Sequence, residues 1–330
     1  MMRRALLVVT MAVPFLASAQ IKITRPTTSA ARPILLAIKD PSLYVFDHYT
    51  LNSRDFLMHY MDDFNGTAHS SEPFSAGIQG MGSDRFGNVY AAVWVGSSEP
   101  TYVMQMRKYG KFTGPLKRAT AVATDMQGRI YITDADLGAV VRIDDLTGKN
   151  LVSFGTYGSG IGQFKNPSGI AIDRSGHIYV ADLGNYRIVR LDDMNGEGWR
   201  TYDGAAYGGQ GKQVNLVSRI AVDSKGRLYY LRSDNGYVVR VDDIGGGNMV
   251  SWGNADGVTT GRVLIEPSDI AIDAQDRIYV ADSQTGFVTR IDDMTGTNRT
   301  VFYKDASGNL WKRPSLIAVF YPRADNSVIR

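Results

Sequence analysis

The stretch GIAIDRSGHIYVADLGNYRIVRLDDM (Gly169 to Met194) returns twice downstream. It appears as RIAVDSKGRLYYLRSDNGYVVRVDDI (Arg219 to Ile244) and as DIAIDAQDRIYVADSQTGFVTRIDDM (Asp269 to Met294). An upstream relative, AVATDMQGRIYITDADLGAVVRIDDL, spans Ala121 to Leu146. A repeat at fixed period marks an architecture built from one supersecondary unit, so it decides the fold before any single residue does. Each copy alternates apolar and polar positions with branched and aromatic residues, which is the period of a strand. Asp173 to Gly176 and Asp223 to Gly226 predict tight hairpins, because Asp accepts turn N–H groups and Gly takes positive φ. Asp276 stands where the other copies carry that Gly, in a left-handed position that Asp tolerates better than most residues.

The pairs Asp144-Asp145, Asp192-Asp193, Asp242-Asp243 and Asp292-Asp293 then lead into fourth-strand candidates such as Val152 to Phe154, Met249 to Trp252 and Thr300 to Tyr303. Four antiparallel strands per unit are expected. The turn residues Asp84, Asp125, Asp173, Asp223 and Asp273 recur every 41 to 50 residues, the spacing of propeller blades. A second copy spans 80–109, and a divergent first copy runs from Pro33 through Leu43 to Asp63. The expected fold is an all-β propeller of six blades, with seven and a composite last blade as the alternative. Arg313 to Phe320 starts a further unit, whose hairpin is expected to close the ring with the N-terminal strand and so protect the sheet edges.

The N-terminus reads as a signal peptide over residues 1–19: Arg3 and Arg4, a twelve-residue apolar run from Ala5 to Leu16, then Ala17-Ser-Ala19. That run is too short to span a bilayer as a helix, which takes about 20 residues. Residues 20–33 form a leader that offers a closing strand, and 34–330 form one propeller domain. A periplasmic or secreted, monomeric protein is expected. Losing Arg3 and Arg4 would leave 34 basic against 33 acidic residues, too even a balance for a nucleic-acid partner. The absence of cysteine excludes disulfides, thiol catalysis and thiolate metal sites.

The run from Phe154 through Gln163, Phe164 and Pro167 to Asp173 resembles the junction between NHL repeats, as does Gly176 through Asp182 and Asn185 to Ile188. The resemblance implies a β-propeller whose loops at one end form an interaction surface, and it implies no single activity. Lyases with related propellers, which hold zinc or catalyse through histidine, offer a contrast. The four histidines here are His48, His59, His69 and His177, and no pair recurs at matching positions. No nucleophile elbow is present. No catalytic residue, metal ligand or cofactor is assigned. Calcium takes oxygen ligands, but turn chemistry accounts for all five turn aspartates without a cation.

Candidate ligand-binding residues come from the position two before the small residue of each inner strand, which shares its face. There the copies diverge as Ala121, Gly169, Arg219, Asp269 and Leu316. Arg219 and Asp269 form a salt bridge between blades on one reading. On the other they bind a small polar or anionic ligand with Arg118, Lys165, Asn166 and Glu266. Trp199, Trp252, Trp311, Tyr157, Tyr186, Tyr207 and Tyr237 are expected in or beside inter-strand segments, where exposed aromatics favour glycan, peptide or protein surfaces. The leading functional expectation is a non-catalytic scaffold for a protein, peptide or glycan. A lactonase-like hydrolase or a lyase with a cation or polar cluster at the channel mouth is the alternative.

Overall fold

The computed structural model describes residues 21–22, 36–37, 42–48, 56–61, 69–74, 77–94, 101–106, 108, 110–204, 217–232, 236–253, 263–303 and 310–320. The expected signal peptide, most of the leader and Tyr207 lie outside the described residues. The chain divides after Asp40. In the first unit Ile21–Lys22 pairs antiparallel with Leu36–Ala37. No helix among the described residues is long and apolar enough to cross a membrane.

The second unit is an all-β propeller. The described residues form six four-stranded antiparallel sheets. Four follow the repeat from its inner to its outer strand. The third sheet contains Ala119–Thr124, Ile130–Asp134, Ala139–Ile143 and Val152–Phe154. The fourth contains Pro167–Ile172, Ile178–Asp182, Arg187–Leu191 and Arg200–Tyr202. The fifth contains Ile220–Val222, Leu228–Arg232, Tyr237–Val241 and Val250–Gly253. The sixth contains Pro267–Ile272, Ile278–Asp282, Phe287–Ile291 and Thr300–Phe302. The divergent second sheet begins at Gly77–Ser83 and ends at Lys111–Phe112.

The first sheet is composite. Its inner strand is Pro314–Phe320, which pairs antiparallel with Ser42–His48, followed by Phe56–Met61 and His69–Phe74. The segment read as opening a further unit therefore completes the first sheet.

Side chains alternate between the two neighbouring sheets, so the core is divided into six apolar clusters, one at each joint. Tyr131 packs with Ile170 and Ile178 of the next sheet, and Tyr229 packs likewise with Ile270 and Ile278. The inner strands neighbour one another in a closed ring, first to sixth and back to first. Hydroxyls stitch them together. Thr120 donates to the Pro167 carbonyl (2.7 Å), Ser268 to Pro314 (2.9 Å) and Ser83 to Val319 (2.7 Å). On the axis lies a cavity of about 170 Å³, lined by 81–83, 122–124, 170–172, 220–222, 270–272 and 317–319.

Candidate functional site

Strand alternation gives the propeller two unlike faces. At the turn face lie the hairpins that join the first to the second strand and the third to the fourth. At the loop face the inner strands begin, and there lie the connections between second and third strands and between sheets.

The turn face consumes its own carboxylates. Asp125 accepts from the backbone N–H groups of Gln127 and Arg129 through one oxygen, and from the Arg129 guanidinium (2.5 Å) and the Tyr131 hydroxyl (3.1 Å) through the other. The same cluster recurs as Asp223, Arg227 and Tyr229, and as Asp273, Arg277 and Tyr279. In the fourth sheet His177 takes the arginine's place, 2.6 Å from Asp173, and in the second sheet Asn88 does so against Asp84. Burial, with the adjacent carboxylate, pushes the Tyr131 and Tyr179 hydroxyls up to about 12. Each turn aspartate thus has a structural role, and no group of three metal-ligating side chains occurs among the described residues. Asp276 holds φ +63°. Its carboxylate accepts from the Ser224 N–H (2.8 Å) and hydroxyl (2.7 Å) of the preceding sheet, which is why a side chain stands where the other copies have glycine.

The loop face is organised by buried carboxylates at the end of the second strand, which the sequence reading did not single out. Asp134 accepts from the backbone N–H groups of Lys117 (2.6 Å) and Arg118 (3.0 Å), and Asp282 does the same for Ile265 and Glu266. Asp182 accepts from the Lys165 N–H (2.7 Å), and Asp47 from Lys312 and Arg313. The visible signal was the aspartate recurring in IYITD (130–134) and IYVAD (178–182 and 278–282). Burial raises the Asp182 carboxyl, working against its bonds to Asn185, the Lys165 N–H and Arg187. In Asp47 burial acts the same way but is outweighed by His59 and the two backbone donors, so its carboxyl lies below the ordinary value.

These carboxylates set Lys117, Lys165 and Lys312 as exposed cations around the face. Arg118 pairs with Asp136 (2.8 Å) and donates to the Asn166 side chain (3.1 Å). Glu266 lies 3.7 Å from Arg313.

Arg219 and Asp269 form a separate group on the axis. The Arg219 Nε lies 3.4 Å from the Asp269 carboxylate. Nη1 donates to the carbonyls of Ser168 (2.7 Å) and Ser218 (3.2 Å), and Nη2 donates to that of Gln79 (2.6 Å). Gln79 belongs to the second sheet and Arg219 to the fifth, opposite it in the ring. The guanidinium therefore lies across the axis. Asp269 is buried and also accepts from the backbone N–H groups of Ile317 and Ile270 (2.9 and 3.0 Å). Burial pushes its carboxyl up to about 6, with Arg219 opposing. Among the described residues no hydrogen bond or ion pair joins this group to Arg118, Lys165, Asn166 or Glu266.

The aromatics divide. Trp199 packs on Phe164 at 5.4 Å, and Trp311 is buried near His59. Tyr157 and Tyr186 are 52% and 43% exposed.

Comparison with known proteins gives one family match, the NHL repeat, over residues 164–191. No curated protein matches the sequence. Among solved structures, virginiamycin B lyase from Staphylococcus aureus is 17% identical, with 68% of this chain and 69% of that one covered and a TM-score of 0.49. A streptogramin B lyase is 15% identical over 79% of this chain and 73% of that one, also at 0.49. A protein of unknown function from Bacteroides caccae is 11% identical over 85% of this chain and 98% of that one, with a TM-score of 0.54, a likeness of fold alone. The chain carries an NHL repeat in a propeller.

Proposed function

We propose that the protein is an exported, six-bladed interaction scaffold that binds a protein, peptide or glycan through its loop face. The count of blades rests on the six sheets and the six apolar joints between them. Export rests on the composition of residues 1–19.

The observation that carries the reading is the clamping of the loop face by Asp47, Asp134, Asp182 and Asp282. Buried carboxylates that hold backbone N–H groups fix the connections, so the side chains above them are presented with little ordering left to do on binding. Lys117, Lys165 and Lys312 then supply separated cations, which guide encounter and register more than raw affinity. In this reading Arg118, Lys165, Asn166 and Glu266 are contact residues at the surface, whereas Arg219 and Asp269 are committed to each other and to the ring.

The test is charge reversal on each face, read on peptide and glycan arrays. Lys165→Glu combined with Lys312→Glu is expected to abolish the array signal while the melting temperature stays within a few degrees. Asp193→Lys on the turn face is expected to leave the signal unchanged. The opposite pattern overturns the reading.

A further inference from the structure

We propose that the loop 156–164, with Tyr186 and Lys165 beside it, is a rigid anchor that inserts into an apolar, carboxylate-rimmed cleft of a partner protein. The inference rests on the loop-face reading above and locates its centre at the joint between the third and fourth sheets.

Backbone conformation gives the first observation. Between second and third strands, the third, fifth and sixth sheets carry Gly138, Gly236 and Gly286 at φ of +63°, +74° and +74°. At the matching position the fourth sheet has Tyr186 with φ +53° and ψ +43°. A left-handed conformation is unfavourable for a residue with a Cβ, and a bulky aromatic seldom occupies it. The residue is 43% exposed, so burial does not explain its retention there. Strain kept for an exposed side chain points to a role in binding.

The second observation is how firmly the neighbouring loop is held. Thr156–Tyr157 and Gln163–Phe164 pair as short parallel strands. The Arg187 guanidinium donates to the carbonyls of Ser159 (3.0 Å), Gly160 (3.2 Å) and Gln163 (2.8 Å) while its Nε bonds Asp182 (2.8 Å). Asn185, next to Tyr186, donates to the Gly158 carbonyl (2.8 Å), and the Gly184 N–H to that of Lys165 (2.8 Å). Tyr157 lies against Gly138 of the third sheet, while Lys165 lies against Gly184, two residues before Tyr186, in the fourth. Ile161, in the middle of the loop, is 83% exposed.

A fixed projection with three large side chains in water is suited to association. Its shape needs no ordering on contact, and tyrosines commonly dominate interface energetics. The aliphatic tip decides the class of partner. A branched alkyl group gains by entering an apolar protein cleft, whereas a sugar is gripped by ring faces and hydrogen bonds. Lys165 is exposed and has no ion pair among the described residues, so complementary charge on the partner is carboxylate.

A random peptide library displayed on phage, panned on the full chain, tests this. Enriched peptides are expected to combine apolar residues with Asp or Glu. A selected peptide is expected to bind at least tenfold more weakly to Ile161→Ser and to Tyr186→Gly, with the melting temperature of Tyr186→Gly unchanged or raised. No enrichment, basic peptides, undiminished binding to both variants, or a lowered melting temperature for Tyr186→Gly each overturns the anchor. Peptides indifferent to both variants but lost on Lys312→Glu would sink the anchor and leave the loop-face reading standing. Indifference to every substitution on that face sinks both.

Discussion

Arg219 and Asp269 show how a residue at one repeated position can leave the repeat's pattern. Gly80 and Gly169 occupy the same position, and a Cβ there would lie 2.7 Å from the next inner strand's backbone, at Thr120 and Ser218 respectively. Asp269 instead sends its carboxylate to the Ile317 N–H, and the Arg219 guanidinium covers it. Its folded pKa, about 6, lies above the ordinary 3.8. Its stabilising share is therefore fully present below about pH 4 and is lost as the pH rises through about 6. The stability advantage of the wild type over Asp269→Asn should shrink by about 2 kcal/mol between pH 4 and pH 7, measured by urea unfolding. A pH-independent difference would show that the carboxyl is not held protonated by burial. The adjacency of Arg219 and Asp269 was legible in the sequence, because neighbouring copies diverge at one position. The bond to Gln79 was not, since 140 residues and half the ring separate the two.

At the scale of the element, the hairpin is a small machine of aspartate, cation and tyrosine. The Asp carboxylate closes the turn and receives the tyrosine hydroxyl, which the sheet buries. The repeated Asp-x-x-Gly and Tyr made these hairpins readable, since every partner lies within six residues. The aspartates at the second-strand ends were opaque for the contrary reason: the donors to Asp134 and Asp282 precede them by 16 or 17 residues, across an inner strand, and those to Asp47 lie 265 and 266 residues away. Tyr131 and Tyr179 have folded pKa values near 12, above the ordinary 10. Their contribution to stability is full below pH 10 and is lost as the pH climbs through 12. In an alkaline titration followed by tyrosinate absorbance, these residues should ionise only together with loss of the β-sheet circular dichroism. Ionisation near pH 10 in the folded protein would contradict the buried geometry.

For the whole molecule, the decisive contact joins the ends. Pro314–Phe320 supplies the inner strand of a sheet whose other three strands lie between 42 and 74. The third to sixth sheets were legible from local pattern. The closure of the ring by pairing 313–320 with the N-terminal strand was expected too; what local pattern hid is that this strand belongs to the first sheet and opens no further unit, because it comes from the far end of the chain. Deleting 313–330 leaves Ser42–His48 as an unpaired edge and uncovers the joints on either side. The truncated chain should melt well below the full one and should self-associate in sedimentation. A truncated chain that remained monomeric with an unchanged melting temperature would mean that closure contributes nothing.

The guanidinium lying over the axis also acts as a strut. Arg219 of the fifth sheet reaches the Gln79 carbonyl of the second, on the opposite side of the ring, so two walls that share no strand and no apolar joint are tied directly to each other.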